Sequence, residues 1–282
     1  MAGLALLVVA SGSASAQQRR DFMIALQPNG TDLYLDAVFP GLQATVEHRV
    51  PVYGAANGFT ARANTLWTLL FMEQQLDLEL RILVLTLGTS VGWVDNYRNY
   101  DFGPDDRVDQ VGRRERDARA DWSSERWAFW EGRATLSLPI NDYVVFNGIN
   151  TLRVSGRPER SFDWRNGVVR DDGFLFRSDL ALFLKHPDWG GIAPLVQIQR
   201  YGLDGRRRTQ INYGFMAVTR PGFRHKNDIL LFQLLWNFGD RFGGIDARKT
   251  YGQHTFHGPF TFILAYRMVF PLYRSDGPGD ED

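Results

Sequence analysis

Few residues of this chain have the spacing that catalysis or metal binding requires. A serine nucleophile needs a histidine base nearby, and His-x-Ser, which would put both on one face of a strand, does not occur. His254 and His257 are three residues apart, so in a strand they point to opposite faces and would not share a metal ion. The chain has no cysteine, which excludes disulfides and thiolate sites. No catalytic residue, metal ion or cofactor is therefore predicted.

Charged and amide side chains at alternate positions of apolar stretches are the stronger signal. Residues two apart in a strand share a face, so rows of this kind can line a polar interior and set its selectivity for solutes. The predicted lining set is Glu47, Arg62, Glu79, Arg81, Glu131, Arg133, Arg153, Arg177, Asp179, Gln197, Gln210, Asn212, Gln233, Asn237 and Arg267.

The elements that must position these rows are β-strands. In the stretch from Phe256 to Tyr273, alternate residues are apolar, aromatic or small, so one face is apolar and the other is mixed. Eleven stretches with such alternation are clear, and Arg20 to Leu26 is a plausible twelfth. The longest break runs from Val94 to Asp121, and a second polar loop runs from Gly156 to Gly173. The fold class is therefore all-β.

The N-terminus has the pattern of an export signal. Residues 4–10 are apolar, and Ala14-Ser15-Ala16 is a small-x-small cleavage site, which predicts a signal peptide over residues 1–16 and a mature chain from Gln17. No later segment offers the roughly 20 apolar residues of a membrane helix. We expect one domain over residues 17–273 and a polar tail over residues 274–282.

The whole pattern resembles a Gram-negative outer-membrane β-barrel, at the level of the class and not of a particular family. The resemblance implies a transmembrane antiparallel up-and-down barrel in the bacterial outer membrane. Because such barrels have an even number of strands, it implies about twelve, with ten as the alternative. It also implies short turns at one end and long loops at the other. The connections fit this roughly: those at Pro40, Glu73, Pro139 and Pro187 are short, and those at Val94, Gly156 and Gly243 are long.

A soluble β-sandwich or lipocalin-like barrel would also show alternation, with its apolar face inward. Charges of both signs in mid-strand and the many large aromatic residues on the other face favour the membrane barrel. Lys plus Arg balance Asp plus Glu at 32 each, which argues against a nucleic-acid partner. The expected partners are outer-membrane lipid and a small polar solute. Arg206, Arg207 and Arg208 could also contact lipopolysaccharide phosphates.

Three functions fit this reading. The first is a narrow passive pore for small polar solutes, lined by the residues given above. The second is a structural or adhesion barrel, with its lumen closed by those same charges and its function in the external loops. The third is a lipid-modifying enzyme, which the missing His–Ser pair makes the weakest of the three. The sequence indicates neither the solute nor the oligomeric state.

Overall fold

The computed structural model describes residues 29–38, 41–52, 57–69, 71–97, 99–100, 120–121, 125–156, 161–163, 168–170, 173–186, 190–203, 205–221, 228–237 and 260–274. The predicted signal peptide, the stretch from Arg20 to Leu26 and both His254 and His257 lie outside these residues. In the part of the chain that is described, no helix is long and apolar enough to cross a membrane.

The fold is a closed antiparallel barrel of twelve strands, which confirms the predicted fold class and strand number. Each strand pairs with its neighbours in sequence, and the last strand pairs with the first to close the wall. The barrel strands are β1 (Gly30–Val38), β2 (Gly41–Pro51), β3 (Asn57–Thr68), β4 (Phe71–Ile82), β5 (Leu85–Asn96), β8 (Glu125–Pro139), β9 (Val144–Ser155), β12 (Phe174–His186), β13 (Gly190–Leu203), β14 (Arg206–Thr219), β15 (Ile229–Asn237) and β16 (Phe260–Arg274).

Two small hairpins lie in the connections between barrel strands. The pair β6 (Asn99–Tyr100) and β7 (Ala120–Asp121) belongs to the connection after β5. The pair β10 (Ser161–Asp163) and β11 (Val168–Arg170) belongs to the connection after β9. These connections correspond to the two polar loops expected from the sequence, although Val94 to Asn96, predicted as loop, belong to β5.

The sequence pattern missed strand β5. It pairs with β4 through a turn of two residues, Leu83 and Val84, and with β8 on its other side. Leu83 has a φ of 52°, a conformation that non-glycine residues rarely adopt, so nothing in the residue types marks the turn. The twelfth strand is therefore Leu85–Asn96, and the described barrel closes without Arg20 to Leu26.

Because the sequence analysis did not count β5, it also assigned the turns before β5 to the wrong end of the barrel. The long connections 97–124, 156–173 and 238–259 all lie at one end, here called the long-loop end. The turns at 39–40 and 69–70, predicted to lie opposite the long loops, lie at the same end as those loops, because an uncounted strand reverses the end of every earlier turn. The opposite end, here called the short-connection end, has connections 52–56, 83–84, 140–143, 187–189 and 220–228.

The outer wall is apolar. Large hydrophobic side chains point outward from the barrel and are exposed, among them Leu42, Leu76, Leu78, Val91, Trp130 and Trp236. A band of exposed apolar residues around a closed barrel is the surface that faces lipid in transmembrane barrels. On β15, Leu230, Phe232 and Leu234 occupy the outward positions together with Trp236, as the alternation predicts.

Candidate functional site

The interior of the barrel contains the predicted lining residues. Every member whose side chain is described lies on the inner face and is largely shielded from solvent, with Glu47, Gln210 and Asn212 at 0% exposure. These members are Glu47, Arg62, Glu79, Arg81, Glu131, Arg133, Arg153, Arg177, Asp179, Gln197, Gln210, Asn212, Gln233 and Arg267. The side chain of Asn237 lies outside the described residues.

An ion-pair ladder crosses the inner face of the first strands. Glu47 on β2 accepts from Arg62 on β3 and from the Tyr34 hydroxyl on β1, the latter at 3.1 Å. Arg49 also contacts Glu47, with Nε 3.2 Å from Oε1. Arg62 reaches the next strand as well, with its Nη1 2.6 Å from Oε2 of Glu79 on β4. One buried carboxylate therefore joins β1, β2 and β3, and Arg62 carries the ladder to β4.

The ladder continues over β5 because β5 has small residues on its inner face. Arg133 on β8 pairs with Glu79 and lies 3.4 Å from Asp77, both on β4, although β5 lies between these strands. A Cβ at Gly88 would lie 3.1 Å from Cγ of Glu79 and 3.5 Å from Nε of Arg133. Glu79 and Arg133 thus lie on strands that are not adjacent, and the absence of a side chain at Gly88 is what lets them meet.

A second group of charges lies closer to the long-loop end. Arg153 on β9 donates to Glu131 on β8 at 3.1 Å and to both carboxylate oxygens of Glu73 on β4, at 3.1 and 3.2 Å. Its guanidinium also lies 3.8 Å from the centroid of the Phe129 ring. Both carboxylates and the arginine are buried, so a single cation neutralises two anions drawn from strands that are not all neighbours.

The seam between the first and last strands has its own ion pair. Arg267 on β16 donates to both carboxylate oxygens of Asp36 on β1, from Nε at 2.7 Å and from Nη2 at 2.8 Å. The guanidinium also lies 4.9 Å from the centroid of the Tyr34 ring. This two-pronged geometry is the strongest form of an arginine–carboxylate pair, and it joins the strands that close the barrel.

The remaining polar residues form a chain of amides. Arg177 pairs with Asp179 at 2.7 Å, and the Gln197 amide donates to the same carboxylate at 2.8 Å. The Asn212 amide then donates to Gln197 at 2.8 Å, and the Gln210 amide donates to Asn212 at 3.1 Å. This row of hydrogen-bonded amides crosses the inner faces of β12, β13 and β14, and the ion pair between Arg177 and Asp179 stands at one end of it.

Part of the interior is apolar, a feature that the sequence analysis did not predict. Its buried residues form one cluster on the inner faces of β9, β12 to β16 and β1: Val38, Val145, Ile149, Ala181, Phe183, Ala193, Leu195, Met216, Val218, Ile229, Leu231, Leu235 and Ala265. The signal was present in β15, where both faces are apolar apart from Gln233. The interior thus has most of its ion pairs along β1 to β9, here called the charged side, whereas β12 to β16 combine the apolar cluster with the amide chain and Arg267.

Arg81 differs from the other arginines of the lining set. It lies on β4 next to the short-connection end, and its Nε donates a hydrogen bond to the backbone carbonyl of Leu83 at 3.3 Å. Arg62, Arg133, Arg153, Arg177 and Arg267 each contact a carboxylate. Within the described part of the chain, no carboxylate lies within salt-bridge distance of Arg81.

The arginine triplet lies at the long-loop end. Arg207 is exposed, and its guanidinium lies 4.3 Å from the centroid of the Phe174 ring, whereas Arg208 is half-buried. The side chain of Arg206 is outside the described residues. Of the two that are described, Arg207 is thus the one that a molecule outside the barrel can reach. No group of three metal-ligating side chains occurs among the described residues.

Comparisons with known proteins give similarity of fold alone. No protein-family model and no curated protein sequence matches the chain. Among solved structures, a NanC porin is 12% identical, with 85% of this chain and 98% of that chain covered and a TM-score of 0.38. LpxR from Salmonella typhimurium is 8% identical, with 85% and 99% covered and a TM-score of 0.38. The beta domain of the Bordetella autotransporter BrkA is 12% identical, with 84% and 96% covered and a TM-score of 0.39.

Identities and TM-scores this low transfer no activity to this chain. The class follows instead from the molecule: the wall is closed, its outer face is apolar and exposed, and its inner face is charged and buried. The chain has the architecture of an outer-membrane β-barrel, with no specific family assigned.

Proposed function

We propose that the protein is a narrow outer-membrane pore for small polar solutes, with its path along the charged side of the interior. The supporting observation is the division of that interior. Along β12 to β16 an apolar cluster fills part of the lumen, so charged side chains are not the only means by which this chain fills its interior. Ionisable groups within a membrane are costly, and they commonly mark ion and solute pathways. The ladder from Glu47 to Arg133 is therefore best explained as the lining of such a path.

The least buried part of the lining supports this path. The side chains of Arg62, Glu79 and Arg133 are 10–11% exposed, and Thr86 and Ser137 on the inner face near the short-connection end are half-buried. In this proposal the path opens to solvent at that end. Charged and amide groups that contact solvent in this way can set ion selectivity.

Export and orientation are part of the same proposal. Residues 1–16 would be removed as a signal peptide, residues 17–273 would form the barrel, and residues 274–282 would follow as a polar tail. The long-loop end would face outward and the short-connection end would face the periplasm, as is usual for such barrels. Fractionation of cells should then recover a chain that begins at Gln17 with the outer membrane. Recovery as a soluble periplasmic monomer would overturn the proposal.

A second candidate is a structural barrel with a closed lumen and its function in the external loops. The observation that favours it is the complete burial of side chains such as Glu47, Gln199, Gln210 and Asn212, all at 0% exposure. Open water-filled channels occur in wider barrels, and eight strands leave room for filling side chains only, so twelve strands fall between the two cases. The ion pairs of the ladder would then act as a plug.

Planar-bilayer recording of the purified protein separates the two candidates. A pore should give small, steady conductance steps that increase with salt concentration. Replacing Arg81 and Arg133 together by Ser should shift the reversal potential toward cations, because two fixed positive charges are lost. Arg207→Ser at the long-loop end removes one charge away from the ladder and should leave the reversal potential unchanged. A wild-type protein that never conducts, together with a double variant that does, would establish the plug instead.

We also propose that Arg207, the exposed member of the triplet Arg206, Arg207 and Arg208, contacts lipopolysaccharide phosphates when the long-loop end faces outward. The supporting observation is the exposure of Arg207 at that end. Lipopolysaccharide retained on the purified protein should decrease in Arg207→Glu, and an unchanged amount would refute the contact.

A further inference from the structure

Arg81 is a largely buried cation that pairs with no carboxylate among the described residues. The residue is 8% exposed, and its hydrogen bond to the Leu83 carbonyl uses Nε, which leaves both terminal nitrogens available. A cation shielded from water is unfavourable unless a partner offsets the lost hydration. The short-connection end therefore contains a guanidinium that lacks such a partner among the described residues.

The nearest acidic side chain on the same strand is already engaged. Glu79, two residues before Arg81 on the same inner face, accepts from Arg62 and from Arg133. Two guanidinium groups thus share this one carboxylate. Arg133 has a second carboxylate nearby, because its Nη2 lies 3.4 Å from Oδ1 of Asp77. Glu79 therefore pairs with two guanidinium groups other than that of Arg81, and Arg81 takes no part in the ion pairs of the ladder.

The surroundings of Arg81 supply neutral hydrogen-bond donors. In the strand register Arg81 is opposite Thr86, Thr86 is opposite Thr135, and Ser137 is opposite Asn147. All four of these neutral residues share the inner-face parity of their strands, and they are buried or half-buried. On the other side Arg81 is opposite Gly58, which has no side chain to occupy the space.

We propose that Arg81, with Thr86, Thr135, Ser137 and Asn147, forms a binding site for a small oxyanion, a carboxylate or a phosphate. A guanidinium presents paired N–H donors that match the two oxygens of such a group, and hydroxyl and amide donors complete its coordination. The site gives the proposed pore a class of solute, small oxyanions. Only the passage of the anion rests on the proposed pore function, because binding of the anion can be measured whether or not the barrel conducts.

Titration calorimetry of the purified barrel in detergent tests the site. Inorganic phosphate and acetate should each bind saturably to the wild type, whereas chloride, a single-atom acceptor that cannot offer two oxygens to the paired N–H donors, should bind more weakly. Arg81→Gln should weaken phosphate and acetate binding by about tenfold or more, the usual effect of losing a charge-assisted hydrogen bond. Arg126→Gln removes an exposed arginine at the opposite end, where Arg126 pairs with Asp95, and this variant should bind both anions as the wild type does. Equal binding by Arg81→Gln and the wild type, or none by either, overturns the site.

Chemical labelling of the wild type gives a second test that does not depend on folding of a variant. Phenylglyoxal modifies accessible arginines, and mass spectrometry reports the modified position. Phosphate and acetate should slow modification of Arg81 and leave that of the exposed Arg126 unchanged, while chloride should protect neither. An Arg81 labelling rate that is unaffected by saturating phosphate and acetate refutes the site. If phosphate protects Arg81 in a barrel that never conducts, the binding site stands and the pore proposal fails.

Discussion

Gly88 allows the ion-pair ladder to cross strand β5, so a larger residue there should separate the ladder. A Cβ at this position would lie 3.1 Å from Cγ of Glu79 and 3.5 Å from Nε and Nη2 of Arg133. In Gly88→Val the two added methyl groups extend about 1.5 Å further, into the space that the ion pair occupies. Either Arg133 or Glu79 must move, and the direct contact between them is lost.

The cost can be estimated from the contacts that remain. Overpacking a dense interior costs about 1–3 kcal/mol, and breaking a buried pair to leave one charge alone costs about 3–5 kcal/mol. Here neither charge is left alone, because Glu79 keeps Arg62 and Arg133 keeps Asp77. We therefore expect Gly88→Val to lower the free energy of unfolding by about 2–4 kcal/mol.

Urea unfolding in lipid vesicles, followed by tryptophan fluorescence, measures this change. With a slope of about 2 kcal/mol per molar urea, the midpoint should fall by about 1–2 M. Gly148→Val is the matched control, because it makes the same substitution in a strand but on the outer face. A Cβ there would make ordinary contacts of 3.6 Å with Leu180 and Phe146. If the free energies of unfolding of the two variants differ by less than about 0.5 kcal/mol, the lack of a side chain at Gly88 is not what allows Glu79 and Arg133 to meet across β5.

Three further substitutions probe the interior, the outer wall and the missed turn. Arg153→Met leaves Glu73 and Glu131 buried without their cation and should cost about 3–5 kcal/mol in urea unfolding; a loss below about 1 kcal/mol would contradict the shared-cation arrangement. Leu78→Arg places a charge on the lipid face of β4 and should cost about 2–4 kcal/mol, whereas Leu78→Met should be neutral; equal stability of the two would invert the face assignment. Leu83→Asn should raise the unfolding midpoint, because asparagine tolerates positive φ that costs leucine about 1–2 kcal/mol; a lower midpoint would show that the leucine side chain matters more.

The alternation of residue types was sufficient to predict the class of fold. A charge on the lipid face costs several kilocalories per mole, so charges in mid-strand, such as Glu131 and Arg133, indicate an inner face before any pairing is known. The described members of the predicted lining set do lie on that face. The period of two in the sequence therefore carries facing information directly.

Strand β5 could not be recognised in the same way. The turn before it uses Leu83 and Val84, and neither is a residue that normally marks a hairpin. The central positions of its inner face are Gly88, Ser90 and Gly92. These small residues interrupt the row of large polar side chains that identifies the inner face of other strands. The run from Leu76 onward therefore looked like one strand followed by a loop.

The pairing of interior side chains was also beyond the sequence. Which arginine meets which carboxylate depends on strand order, so the contact between Arg153 and Glu73 on distant strands could not be foreseen. The same holds for the isolation of Arg81, which depends on Glu79 being engaged by Arg62 and Arg133. The apolar cluster of the interior could not be predicted from the sequence. Both faces of β15 are mostly apolar, so alternation between polar and apolar residues does not show which face is inside.

The ion pair at the seam has a consequence for assembly. Asp36 and Arg267 are separated by 231 residues. The buried carboxylate of Asp36 on the first strand is therefore neutralised only after nearly all of the barrel strands have been made. Contacts between such distant parts of a chain form slowly. A slip of one residue in the β1–β16 register would turn Arg267 toward lipid and leave Asp36 alone, so only the correct register is tolerated. Closure should therefore be a late, all-or-none event, and a chain shortened within β16 should fail to insert.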